Sequence, residues 1–457
     1  MSTLIFGGTL VTGSGDEPIE GGALVLADGR IDAVLDRWDS ALGFEGEVID
    51  AAGLMVMPGL INCHTHGVTP GPLFPSAAPA LPDEEWLGHL DRHLLAGTTT
   101  VLSLCGFATM DQVREADSRH AVHVRGATTH LPSALAAAQR ADGGGLRGHE
   151  AELSVEQMLD DGAVAIGELG GGQTLGGGGQ DLVYLPEAIE RRTGVRVSQA
   201  QARRLKEAVL GRFLDADAVD AEALAAAAGD AGLAGRIDIG ELAGLVSATV
   251  MPSIAPALEG IREGVRAAAR LGVPAVVHSA SATARVLREL MGDPAARGAR
   301  VIAGHANHPS HTPREAVELA ALGRAHGWLA EASVFDLLHR RRTVETREHW
   351  DALLGQDDLV QVLGTDYGHD GDHDELIAAV QDVASRGHRT LGGAVAMATS
   401  AVARAIPGLA TRRGELRTGF AADVVLADAR DLRTVRHVFV DGAPVVRDGE
   451  LTAGARR

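Results

Sequence analysis

Apolar positions along this chain fall into two regimes. At both ends they form short runs broken by Gly, Asp and other turn-forming residues: TLIFGGTLVT and GGALVLADGRIDAVL early, FAADVVLAD, TVRHVFVDG and APVVRDGEL late. Such runs predict short strands. Neither set alone can bury a core, so the pattern predicts one small β-sandwich domain assembled from residues 1–54 and 408–457. Between them, residues 55–407 alternate compact apolar runs with amphipathic stretches such as EGIREGVRAAARLG and PREAVELAALGRAHG. The compact runs number eight: GLMVMPGLINCHTH, GTTTVLSLCG, AVHVRGATTHLP, AVAIGELGG, VPAVVHSAS, RVIAGHANHP, GWLAEAS and LVQVLGTDYG. Alternating β and α units with continuously apolar strands predict an α/β fold, a parallel sheet covered by helices. Eight units predict a (β/α)8 TIM barrel. The interval exceeds the roughly 250 residues typical of that fold. Most of the excess lies between Glu168 and His278, so residues about 170–250 are expected to form an inserted cap over the barrel's C-terminal face.

Composition narrows the function. The formal charge of −20 is opposite in sign to that of a binder of nucleic acid or anionic membrane. Aromatic residues make up only 3% of the chain, which argues against a base-stacking platform. Two cysteines, Cys63 and Cys105, allow neither a disulfide framework nor a Cys-pair zinc site. The first residues, MSTLIFGGTLVTGSGDEP, lack a basic n-region and a long apolar run, so a cytoplasmic protein is expected.

The candidate chemistry sits at the strand ends. The first compact run ends in Asn62-Cys63-His64-Thr65-His66, where strand alternation sends His64 and His66 into the barrel mouth and Cys63 and Thr65 outward. The fourth ends in Glu168, the fifth in His278, the sixth in His305 and the eighth in Asp366. A lone histidine at a strand end is ordinarily a hydrogen-bonded core residue. Five strands delivering His or carboxylate to one rim point instead to a metal site.

With these motifs in place, the sequence resembles the amidohydrolase superfamily over nearly its whole length. PGLINCHTHG is similar to the family's first-strand signature, GTTTVLS to its second, and GELRTGFAADVVLAD with VRHVFVDGAPV to its C-terminal one. The resemblance implies a binuclear centre: His64, His66 and Asp366 on one metal, His278 and His305 on the other, Glu168 bridging. A carboxylated lysine, the bridge in many members, has no counterpart, because the chain's single lysine is Lys206, inside the insertion. The nearest subgroup is therefore the bridging-Glu, enamidase-like cyclic amide hydrolases. A mononuclear site of His64, His66, His278 and Asp366, as in the deaminase branch, is the alternative.

The implied activity is hydrolysis of a carbon–nitrogen bond other than a peptide bond, in a cyclic amide or lactam. Two divalent ions, Zn²⁺ or else Mn²⁺ or Fe²⁺, would hold the attacking hydroxide. Asp366 would shuttle its proton, and His130, ending the third strand, would contact the carbonyl oxygen. The alternatives are a metal-dependent deaminase of an amino-heterocycle and a non-catalytic scaffold; the latter fits poorly because all six ligand positions are intact. The expected partner is a small-molecule substrate, with no nucleic acid or membrane, and the chain is expected to be a homo-oligomer.

Other patterns read as bland. His89 and His93 share a helix face but lack the zinc-protease Glu, so a solvated face is expected. Asp215, Asp217 and Asp220, and likewise Asp370, Asp372 and Asp374, lack the glycine of a calcium loop and read as solvated acid patches. GGGQTLGGGGQ has no Gly-Lys-Ser/Thr and is expected to be a lid loop.

Overall fold

The computed structural model describes residues 2–39, 43–72, 81–142, 146, 148–171, 174–175, 177, 179–338, 346–366 and 373–457. Eight parallel strands pair in chain order: Leu60–Thr65, Thr98–Ser103, His123–Thr128, Ala165–Leu169, Pro274–His278, Arg300–Gly304, Leu329–Ser333 and Val362–Gly364. The eighth lies against the first, and helices connect the strands, so this is a (β/α)8 barrel. Alternation sorts the side chains. Val101, Val124, Ala330 and Leu363 pack outward on helix residues such as Trp86, Leu90 and Ile377. One step along, Leu102, Val276, Ile302 and Val362 form a separate apolar cluster inside.

The first strand departs from simple alternation. Its register on the second strand advances three residues, Asn62 to Thr65, while the partner advances two, Val101 to Ser103. That bulge changes which residues face inward. Thr65 faces outward as expected, its hydroxyl donating to the Leu102 carbonyl at 2.7 Å. Cys63 does not: it joins the interior cluster with Leu102 and Val276. His64 and His66 still face the mouth, the extra residue falling between Asn62 and Thr65.

Strands from the two chain ends form a second, nine-stranded sheet, around Ile5, Leu24, Val56, Leu426 and Phe439. Its central strand is Leu54–Pro58, antiparallel to Val424–Asp428 and paired with the first strand of the chain. Sequence alone runs this strand on into the barrel; Gly59 separates the two. A Cβ on Gly59 would come within 2.1 Å of the Thr99 hydroxyl, so the chain can change sheets there only without a side chain.

The insertion is helical. Leu185–Thr193, Gln199–Leu210 and Ala221–Asp230 pack with the first half of a long helix, Ile239–Leu271, burying Leu205, Val209, Leu224, Leu242 and Val246. Asp238 caps that helix, accepting from the Gly240 and Glu241 amides, and Gly272 ends it at φ +69°. Among the described residues it is the one helix long and apolar enough to cross a membrane. Here its second half buries Ile261 and Val265 with Leu169 and Val277 of the barrel.

Of three expectations of solvated surface, one holds and two fail at least in part. His89 and His93 are 2% and 4% exposed, and His89 Nδ1 lies 2.7 Å from the Gly67 carbonyl, beside the metal-type histidines. The helix Asp83–Leu95 turns this face to the barrel because Trp86, Leu87, Leu90 and Leu94 flank it. Asp374 is also buried and accepts the Leu338 amide; Asp370 and Asp372 lie outside the described residues. Asp215, Asp217 and Asp220 are exposed, and Asp220 caps a helix through the Ala223 amide. Part of the Gly-rich loop, at 172–173, 176 and 178, also lies outside the described residues.

Candidate metal centre

All six strand-end residues singled out from the sequence converge at the C-terminal mouth. Glu168 lies at the junction. Its Oε1 is 2.9 Å from His278 Nδ1 and 2.8 Å from His305 Nε2. Its Oε2 is 3.9 Å from His66 Nε2, and Oε1 is 4.0 Å from His64 Nε2. Asp366 Oδ1 sits 3.3 Å from both His64 Nε2 and His66 Nε2. The ligand-type atoms form overlapping triads, each spanning no more than 4.8 Å: His64, His66 and Glu168; Glu168, His278 and His305; His64, His305 and Asp366.

The donor set fits divalent cations. A carboxylate only accepts, so His64 donates its Nδ1–H to Glu331 at 2.9 Å and keeps a bare Nε2 lone pair. That Nε2 is buried and has no hydrogen-bond partner, as is His305 Nδ1. Such orphaned nitrogens cost free energy unless a cation or donor meets them. The electrostatics point the same way. Burial opposes charge on Glu168, yet His278 and His305 hold its carboxyl well below the usual range. Burial likewise opposes charge on His305, yet Glu168 pushes it up to about 9. Asp366, also against burial, is held low by His64 and His66. The carboxylates thus draw positive charge into a largely buried pocket, the demand that metal ions satisfy.

Glu331 is the member that sequence reading missed. It lies mid-strand in Leu329–Ser333, 1% exposed, within GWLAEAS. Besides His64 it accepts the His305 amide at 2.6 Å and the Ser333 hydroxyl at 2.5 Å. His305 has φ +34° and Asp366 φ +50°, conformations that side chains rarely adopt and that surrounding bonds must hold. Glu331 supplies one such bond. Gly364 leaves room for it, since a Cβ there would fall 2.5 Å from Glu331 Oε1. The available signal was a charged residue inside an otherwise apolar barrel strand. Glu331→Ala is expected to weaken metal retention about 10–100-fold, and Glu331→Gln less, measured by chelator competition. Unchanged retention in the Ala variant would reduce Glu331 to a packing group.

His66 is steadied from behind by Cys105, whose Sγ lies 3.6 Å from its Nδ1 and accepts the Gly67 amide at 3.3 Å. Asn62 donates to the Thr365 hydroxyl at 2.8 Å, tying the first strand to the eighth. His130 lies apart: among the described residues, no contact joins it to the cluster. Its Nδ1 is 2.9 Å from the Thr128 hydroxyl, and burial pushes its pKa down to about 4. Its ring packs edge-on to Phe107, which with Thr129 lines a cavity beside Glu168.

Comparison with known proteins adds three findings. Residues 235–445 match the model of the amidohydrolase family. The chain is 50% identical over 54 residues to an imidazolonepropionase of Chromobacterium violaceum, covering 12% of this chain and 13% of that protein. It is 37% identical over 90 residues to a 5-methylthioadenosine/S-adenosylhomocysteine deaminase of Acetivibrio thermocellus, 19% of this chain and 20% of that one. The chain thus spans a fifth or less of either relative. Its fold is similar to that of the L-hydantoinase (dihydropyrimidinase) of Arthrobacter aurescens, with TM-score 0.57 and 16% identity over 99% of this chain and 98% of that one. Just under half of this chain, residues 235–445, thus matches the amidohydrolase family model, and the barrel is a fold it shares with that hydantoinase.

Proposed function

We propose that this protein is a metal-dependent hydrolase of a carbon–nitrogen bond, acting on a cyclic amide or lactam at a centre of two divalent ions, in the manner of enamidase-like enzymes. One observation carries the binuclear reading. Glu168 turns Oε1 to His278 and His305 and faces His66 with Oε2, so one carboxylate joins two sets of imidazoles. His64, His66 and Asp366 would hold one ion, His278 and His305 the other. Bound there, the ions would lower the pKa of water to roughly 7 and polarise a carbonyl.

The chain's own residues supply the proton path and the geometry. The Asp366 side chain is 26% exposed, against 4% for Glu168 and 1% for His64, so it is the carboxylate of the cluster most open to solvent. It accepts the proton of the attacking water and returns it to the leaving nitrogen. Glu331 fixes the His64 ring, and Cys105 backs the His66 ring. His130, packed edge-on to Phe107 at the side of the cavity beside Glu168, would be the residue to donate a hydrogen bond to the substrate carbonyl.

Elemental analysis of the purified protein is expected to give close to two divalent ions per active chain, Zn²⁺ with Mn²⁺ or Fe²⁺ as substitutes. One tightly held ion would favour the second reading, a mononuclear deaminase of an amino-heterocycle, to which the relative named as a deaminase lends support. Release of ammonia, rather than of a ring-opened acid, would mark that outcome.

A further inference from the structure

The insertion does more than cover the barrel. A cleft of about 100 Å³, open to solvent, separates it from the ends of the fifth and sixth strands. On the barrel side His278 and His308 line it; on the cap side stand Asp181, Arg203 and Lys206. Lys206 Nζ donates to Asp181 Oδ1 at 2.7 Å, and Arg203 Nε donates to Oδ2 at 3.3 Å. Side-chain exposure is 2% for Asp181 and 7% for Lys206, but 27% for Arg203.

Withdrawing the Asp181–Lys206 pair from water is costly, and aliphatic residues would hold the cap together at least as well. The arrangement therefore asks for a reason beyond packing. Arg203 and Lys206 both donate to the one carboxylate of Asp181. The other lining charges are accounted for: Glu315 binds Arg212 at 2.9 Å, and Glu207 is exposed to solvent, where screening weakens it. Arg203 is thus oriented by Asp181, backed by the charge of Lys206, and partly open to the same cleft that reaches His278. A guanidinium fork so placed suits a carboxylate.

We propose that Arg203, with Lys206 behind it, binds a carboxylate of the substrate, so that the amide hydrolysed is one that bears an acid group, such as a lactam acid or an N-acyl amino acid. The substrate class rests on the hydrolase reading above, but the binding step does not require turnover.

Calorimetric titration of the metal-replete protein with two acid–amide pairs tests it: 5-oxoproline against 5-oxoprolinamide, and N-acetylalanine against N-acetylalaninamide. At least one acid is expected to bind about tenfold more tightly than its amide. Arg203→Gln keeps the Lys206–Asp181 pair and should erase most of that preference, with amide affinity and metal content unchanged. Asp181→Asn removes the competing carboxylate and should raise acid affinity; if it does not fold, Arg203→Gln alone decides. Equal affinity of acid and amide in both pairs, or a preference that survives Arg203→Gln, overturns the proposal and leaves the triad a structural clamp. Failure of the hydrolase reading would show separately, in metal stoichiometry and product, with the acid preference intact.

Discussion

Asp366→Asn is expected to lower kcat about 10²–10⁴-fold while metal content falls only in part. Asn has nearly the same shape and keeps one oxygen to face His64 and His66, now 3.3 Å from Asp366 Oδ1. What it lacks is a basic site for the proton between attack and departure of the leaving nitrogen. In barrier terms the loss is roughly 3–5 kcal/mol. His278→Asn should behave differently, losing metal first and activity through it, because His278 packs its imidazole against Glu168 and offers no carboxylate to carry the proton. Metal content and kcat measured on the same preparations separate the two. If Asp366→Asn loses all metal and regains full turnover with excess Zn²⁺, Asp366 is a ligand only and the proton travels by another group.

Glu168→Gln should abolish metal occupancy and activity together. The carboxylate faces four imidazoles, and a neutral amide could not offset the charge of the cations that those nitrogens would hold. Removing one partner from a buried charged cluster costs on the order of 3–5 kcal/mol, so the ions should be held much more weakly. Added bicarbonate should change nothing in either form. The single lysine, Lys206, is held by Asp181 in the cap and is not a strand-four residue. Full activity in the Gln variant, or a bicarbonate requirement, would remove Glu168 from the bridging position.

The barrel and six of the residues at its mouth were legible because both leave a one-dimensional trace. Compact apolar runs mark buried parallel strands, and a strand's last inward residue must face the rim. Glu331 left a weaker trace: it stands inside its strand, and only the eighth strand's Gly364 makes space for it. Cys63 was misdirected because a bulge is a property of two strands in register and cannot be read from one. His89 and His93 were misjudged for a related reason. The neighbours that bury them, including Gly67, come from another element. Arg203 and Asp181 were invisible as a pair, since they meet only when the cap helix folds over the loop after the fourth strand.

The strand Leu54–Pro58 has a bearing on biosynthesis. Its antiparallel partner, Val424–Asp428, is translated about 365 residues later. At about 5–20 residues per second a ribosome needs roughly 20–70 s to cover that interval. Throughout it, one edge of the apolar segment LMVMP stays unpaired while the barrel that follows is still emerging. An open, hydrophobic strand edge is a template for pairing with other chains. Nascent chains of this protein should therefore depend on chaperone cover until the last sheet strands arrive, and shortening the chain before Val424 should yield aggregates rather than an isolated barrel.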